Sequence, residues 1–375
     1  MKNKINSIHL LAGTDIGGSE MLALNIAKTV KEGFVFVATS RGILADEFVK
    51  SNCPFYIIRR RFILDPFYIF KVYKLAKLHD VKILHAHQPL ECFNVLFLSF
   101  FTMKKTVLTY HGFRPDYYSF FKRLILKLIW KLLAKKVSAN IFVSQHLERH
   151  YKNIYKFKAG SSLVVYNGIK TPDLKYYDRN SLRTEFGISE SDVVLGMIGN
   201  FSKARNQLLV AKVFNALLSS IPNKKKYHLI FIGKVDDKCY PSVLKYCCDR
   251  KVLSSVHFAH SRTDAFRLLR NFDVFVYASH RETFCLSVAE AIVSGIPIVA
   301  NDIPVLKEIT MNGMWAKLYP TDNADKMKGQ LVKVIQDLSF YRIQASENRF
   351  NSISFFSIRS HTESLEKLYK KVVEN

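Results

Sequence analysis

The sequence predicts an α/β protein built from two doubly wound domains in tandem, and three observations lead there. Short β-rich runs alternate with helical stretches from end to end, the pattern of parallel sheets with right-handed crossovers. The 375 residues exceed the size at which one hydrophobic core stops growing. The alternation breaks once, at the polar, turn-rich stretch "IKTPDLKYYDRNSLRTEFGISESD" (169–192), which has one short helical piece and reads as a linker.

In order along the first half, the strand candidates are "SIHLLAG", "FVFVATS", "PFYIIR", "VKILHAH", "KTVLTYHG", "ANIFVSQ" and "LVVYNG". The second half supplies "VVLGMIGN", "YHLIFIGK", "SVHFAHS", "FDVFVYAS" and "IPIVAN", and the stretch from Phe340 onward reads as charged helix. The expected division is a first Rossmann-like domain over 1–175, a second over 176–355, and a helix over 356–375 that packs back on the first. In such sheets ligands bind outside the carboxyl ends of the strands, where nearly every motif of this chain falls.

Composition narrows the class. With 49% hydrophobic residues and a mean hydropathy of +0.02, the chain can fill two cores and is not biased toward disorder. Lys and Arg number 56 against 31 acids, and the net charge of +25 favours polyanionic partners: nucleic acid, anionic lipid or phosphorylated substrates. The six cysteines form no C-x-x-C pair and fit reduced thiols in the cytoplasm. The start of the chain reads as a strand rather than a signal peptide. The most apolar run, "CFNVLFLSFFTM" (92–103), is too short to span a bilayer, so a soluble or peripheral protein is expected.

Four motifs carry chemistry. In "LLAGTDIGGSEMLALNIAKTV", Gly17 and Gly18 turn the chain and let helix-start amides approach an anion, with Ser19 and Glu20 as caps. Taken alone, the segment is better explained as a plain strand-helix turn. The second motif is a pair of histidine-bearing strand ends: in "HAHQPL" His85 and His87 share a face, and in "TYHGFRPD" His111 stands before the Gly112 turn, better placed to face a cleft. Glu91 and Cys92 follow the H-x-H pair, but the spacing matches no zinc signature, and no metal is expected. In "IGNFSKARNQ", Gly199 turns the chain and Lys203 and Arg205 precede a helix, an arrangement suited to a diphosphate.

The fourth motif is "RETFCLSVAEAIVSGIPIVA" (281–300). Glu282 belongs to the loop after a strand, a helix begins near Leu286 or Ser287, and Glu290 lies about a turn inside it. Eight helical steps alone would leave the two acids about 80° apart. With Glu282 in the loop, both can face one cleft over the helix N-terminus. The helix dipole favours acids near helix starts, but that explains Glu290 weakly and Glu282 poorly. The intervening "TFCLS" can present several backbone amides, and Gly295 and Pro297 stop the helix.

This E-x7-E pair with "AIVSGIPIVA" resembles the signature of the retaining glycosyltransferase family 4, usually written EGFGxxxxEAMAxGxPVVA. The GG-x-E turn at Gly17, the H-G turn at His111, "FVSQ", "VVYNGI" and "GNFSKARNQ" extend the likeness in family order over most of the chain. The resemblance implies a GT-B fold, two Rossmann-like domains facing across a cleft, with the nucleotide on the second and the acceptor on the first. It implies transfer of a sugar from a nucleotide-sugar donor to a glycan or lipid-linked glycan, with retention and without a metal or other cofactor. By position, Glu282 would contact the sugar hydroxyls, Glu290 the ribose, and His111 the transferred sugar. Gly17 and Gly18 would approach the diphosphate and Arg205 would neutralise it. Asn200, Phe284, Cys285, Leu286 and Ser287 complete the donor-binding set. Four positions, in three places, depart from the pattern. Asn200 replaces one of two usual cations, Thr283 and Cys285 replace glycines, and Lys170 stands where an acid is common.

One further segment stands out. "YSFFKRLILKLIWKLLAKKV" (118–137) has six cations and no acid, and Arg123, Lys127, Lys131 and Lys135 form one helical stripe. It reads as a basic amphipathic helix on an anionic membrane surface, or as a core helix whose lysines reach solvent. Two other functions compete with sugar transfer: a basic nucleic-acid-binding protein, which lacks any recognisable module here, and a sugar-nucleotide epimerase of similar fold.

Overall fold

In the computed structural model the described residues are 6–62, 64–112, 124–125, 128, 131, 135–157, 160–170, 178–221 and 226–374. The stretch 118–137 lies mostly outside them. Of its described members, Leu124, Ile125, Leu128, Lys131, Lys135 and Lys136 are helical and exposed, and Val137 is buried beyond the helix. The chain divides into two compact units, Met1–Lys170 with Ser357–Asn375, and Thr171–Phe356. The expected boundary at 175/176 falls five residues further along, in a stretch outside the described residues.

The first unit is a seven-stranded, wholly parallel sheet. Its strands are β1 (Ser7–Leu11), β2 (Phe34–Ala38), β3 (Phe55–Ile57), β4 (Ile83–Ala86), β5 (Lys105–Tyr110), β6 (Ala139–Phe142) and β7 (Ser162–Val164), in the order 3-2-1-4-5-6-7. Helices cover both faces, so the central strands β1 and β2 are buried along their whole length rather than alternating. On one face Ile8, Leu10, Val35 and Val37 meet Tyr68, Val72 and Ala76 of the helix Pro66–Leu78. On the other, Leu11, Phe34 and Phe36 meet Leu22 and Ile26 of Gly18–Thr29, and Leu365 and Tyr369 of the last helix, Ile358–Glu374. That last helix joins the first unit through a bridge between Ile169 and Ser357. Gly168 makes the approach possible, since a Cβ there would lie 2.7 Å from the Ile358 Cα.

The second unit is a six-stranded parallel sheet of β8 (Val193–Ile198), β9 (Tyr227–Ile232), β10 (Val256–Phe258), β11 (Val274–Tyr277), β12 (Ile298–Asn301) and β13 (Lys317–Tyr319). Its order, 10-9-8-11-12-13, reverses between β8 and β11 as in a dinucleotide-binding domain. The edge strand β13 was not among the expected strands; three residues carry too little pattern. Under β11, the buried Asp273 pairs with Arg183 at 2.7 Å and with Arg342, and accepts from the Val194 amide at 2.8 Å. Among the described residues no helix is long and apolar enough to cross a membrane, and all six cysteines are free.

Candidate functional site

In the second unit, the site assembles where strand order reverses. The loop after β8 forms a short 3-10 turn, Lys203–Arg205, and the loop after β11 brings Glu282 to it. Arg205 Nη1 lies 3.0 Å from the Glu282 carboxylate, which is 8% exposed. The Tyr277 hydroxyl donates to the same carboxylate at 2.7 Å and accepts from Arg205. Ser279 Oγ adds a hydrogen bond of 3.1 Å. The guanidinium is therefore held in place before any ligand arrives. Gly199 leaves room for it, because a Cβ there would come within 3.3 Å of Arg205 Nη1.

Beside this cluster the helix Leu286–Ser294 begins at Leu286 and ends on Gly295 at φ +70°. No side chain caps its start. The first-turn amides thus project toward a ligand position, where an anion gains from the helix dipole. Glu290 lies one turn inside, partly buried, and its side chain makes no hydrogen bond or ion pair among the described residues. Burial raises its carboxyl to about 8. A carboxylate without a partner is poised to accept ligand hydroxyls.

Three donor-binding assignments change their meaning. The Asn200 side chain accepts from the Lys234 amide at 3.0 Å, joining the β8 and β9 loops, and so does not replace the missing cation. Lys203 and Lys234, the lysines nearest in these two loops, are exposed. The Phe284 ring is buried and packs edge-on against Phe356, at 5.9 Å, so only its backbone is left for a ligand. Cys285 is buried and sits at φ +72°, ψ 75°, a left-handed conformation natural to glycine. Its Sγ lies 3.7 Å from Ser287 Oγ.

Sequence reasoning missed Tyr277, which reads only as the last residue of an apolar strand. It also missed His280, Asp322 and Asn206. The His280 ring lies 2.7 Å from Asp322, which also accepts from Asn206 at 3.0 Å, so the loops after β8, β11 and β13 are tied together.

In the first unit, Gly17 is the N-cap of Gly18–Thr29, and Ser19 does not cap it: Ser19 Oγ donates instead to Glu20 at 2.8 Å. The Glu20 carboxylate folds over Gly17, where a Cβ would lie 2.4 Å from its Oε2, and burial raises its pKa. His111 follows β5 and is hydrogen-bonded through Nε2 to His87 Nδ1 at 3.0 Å. Glu91 pairs with Arg60 at 3.0 Å. His9, His85 and His87 bring ligand atoms within 4.8 Å of one another, a geometry that could admit a metal, yet both ring nitrogens of each are hydrogen-bonded within the protein.

The family model described as Glycosyltransferase Family 4 matches residues 16–172, and that described as Glycosyl transferases group 1 matches 178–349. The chain belongs to glycosyltransferase family 4. This family 4 chain is 26% identical over 208 residues to the O-antigen biosynthesis glycosyltransferase WclY of Escherichia coli, covering 55% of this chain and 56% of that one. It is 30% identical over 157 residues to N,N'-diacetylbacillosaminyl-diphospho-undecaprenol alpha-1,3-N-acetylgalactosaminyltransferase of Campylobacter jejuni, covering 40% and 39%. The matches thus span about half the length of these relatives or less. Among solved structures, Anabaena HepE in complex with UDP superposes with a TM-score of 0.83 at 18% identity, over 98% of this chain and 100% of that one. The fold of this family 4 member is GT-B, with two parallel-sheet Rossmann-like units.

Proposed function

We propose that this family 4 protein is a retaining glycosyltransferase that moves a sugar from a nucleotide-sugar donor to a glycan or lipid-linked glycan, in cell-surface polysaccharide synthesis. The observation that carries the reading is the Arg205–Tyr277–Glu282 cluster beside the uncapped start of Leu286–Ser294. When the bond from the anomeric carbon to the diphosphate breaks, negative charge gathers on the leaving group. A prepositioned guanidinium and helix-start amides stabilise that charge without reorganising. These groups act without a metal ion. Glu282 takes the sugar hydroxyls and Glu290 the ribose. The resemblance assigns His111 to the transferred sugar and Gly17 and Gly18 to the diphosphate. The UDP bound to HepE supports the donor class, and the names of the E. coli and Campylobacter relatives support the acceptor class.

The protein works as a peripheral protein on the cytoplasmic face of the membrane. Supporting this, Phe67 and Phe70 on Pro66–Leu78 and Phe97, Phe100 and Phe101 on Pro89–Thr102 are exposed, and Lys71, Lys74 and Lys77 lie on the first of these helices. Apolar rings among cations suit an anionic bilayer, where each basic residue contributes about 1 kcal/mol. Flotation with anionic liposomes at moderate salt is expected to carry the protein upward, and failure to float refutes this placement.

The test of the activity is a melting-temperature screen against UDP-, GDP- and ADP-sugars, followed by turnover with the stabilising donor. Loss of turnover in Glu282→Ala and Arg205→Ala is expected. Undiminished turnover in both variants overturns the site.

A further inference from the structure

A chain of buried hydrogen bonds runs through the first unit behind His111. His111 Nε2 meets His87 Nδ1 at 3.0 Å, and His87 Nε2 meets His9 Nδ1 at 3.0 Å. His9 Nε2 meets the Tyr369 hydroxyl at 3.2 Å, which also meets His85 Nδ1 at 2.5 Å. His85 Nε2 then meets Thr109 Oγ1 at 2.7 Å. His9, His85 and His87 are buried, as is Tyr369 on the last helix. Burial holds His9 and His111 down at about 3, and His85 and His87 well below the ordinary histidine value. The four rings are therefore neutral near pH 7, each with one N–H and one lone pair.

From His111 through His87 to His9, each link joins Nε2 of one ring to Nδ1 of the next. With neutral rings these three therefore share one tautomer, all protonated on Nε2 or all on Nδ1, since a mixed set leaves two N–H groups or two lone pairs facing each other at the cost of a hydrogen bond. The Tyr369 hydroxyl also bonds the Ser7 side chain and can accept from two donors while it donates there, so the tautomer of His85 need not follow that of the other three.

We infer that Tyr369, His9 and His87 are positioning residues that dictate which nitrogen of His111 bears its proton, and so whether His111 offers a donor or an acceptor to its substrate. This rests on the reading that His111 contacts the transferred sugar. Tyr369 belongs to Ile358–Glu374, so docking of that helix completes the chain. His361, on the same helix, sits outside the relay; its Nδ1 faces the Tyr166 carbonyl at 2.8 Å and must carry the proton, because a carbonyl only accepts.

Long-range 1H–15N correlation on the full chain labelled at histidine reads each tautomer directly. The expected spectrum has His9, His87 and His111 in one common tautomer, protonated on Nε2 so that His9 donates to Tyr369, with His361 protonated on Nδ1 as the internal reference. In Tyr369→Phe His9 loses that acceptor, and His9, His87 and His111 become Nδ1-protonated. The phenyl ring keeps its edge-on packing against Phe34 and His85, so this variant folds. Thr109→Val, whose bond in the relay is to His85, leaves these three tautomers unchanged. A merely structural role lowers the melting temperature without moving these signals. A mixed set among the three in the wild type, or unchanged tautomers in Tyr369→Phe, overturns the proposal. So does about one equivalent of transition metal per chain in the purified protein, which would assign His9, His85 and His87 to a cation. Turnover by His111→Ala reports separately: full activity there refutes the substrate contact and leaves the tautomer result standing.

Discussion

Arg205 and Glu282 lie 3.0 Å apart with the Tyr277 hydroxyl bonded to both, so the cation meant for a leaving diphosphate is held by the acid meant for the sugar. Each partner spares the other the entropy of being ordered when the donor binds. Arg205→Ala is expected to lower kcat about 100- to 1000-fold, the range for losing one prepositioned charge stabiliser. Tyr277→Phe keeps the ion pair and loses only the hydroxyl, and a drop of about tenfold in kcat is expected, with about 1 kcal/mol of stability. Steady-state kinetics and urea unfolding of both variants check the ranking. Equal losses in the two would contradict it.

Cys285 occupies a left-handed position where the family pattern has glycine. A side chain there costs roughly 1 kcal/mol in backbone strain. The usual order of alanine and glycine should therefore invert. Cys285→Gly is expected to be more stable than Cys285→Ala by about 1 kcal/mol, since both lose the thiol and only glycine relieves the strain. Urea midpoints of the two proteins decide it.

Both sheets were legible because parallel strands buried on two faces read as unbroken apolar runs, as "FVFVA" of β2 and "YHLIFI" of β9 show. The helix start at Leu286 was legible from the loop residues before it and from Gly295 behind it. Tyr277 was not, because its ring satisfies the strand while its hydroxyl serves the site, and sequence pattern reports only the first. The pairing of His9 with His85 across neighbouring strands was equally hidden, since nothing local tells which strands adjoin. Tyr369 meets both from a distance of more than 280 residues along the chain. The bond of Asn200 to the Lys234 amide was hidden as well, because an asparagine beside a glycine turn serves a backbone amide as readily as a phosphate.

The "NG" turn before the linker also has a structural purpose. A Cβ at Gly168 would stand 2.7 Å from both Cα and Cδ1 of Ile358, and 2.8 Å from the His361 Cβ. One of these contacts is backbone, which cannot swing aside. Gly168→Ala is expected to cost about 1–3 kcal/mol as the last helix is pushed off its seat. Thermal melting measures the loss, and an unchanged melting temperature would show that the helix accommodates the methyl group.

Glu290 makes stability and nucleotide binding depend on pH in opposite directions. Its carboxyl is raised from 4.5 to about 8 by burial. Between those values the unfolded chain has released the proton while the folded chain keeps it. The contribution of this group to stability is therefore full below pH 4.5 and declines as pH rises toward 8. Glu290→Gln has no such slope, so its melting temperature should gain on the wild type across that window. Ribose hydroxyls donating to Glu290 favour the ionised form, so nucleotide binding expels a proton, and affinity should climb with pH up to about 8. Calorimetry in two buffers of different ionisation enthalpy counts that proton. A count of zero at pH 7 in the wild type, or the same count in Glu290→Gln, would remove Glu290 from the nucleotide site.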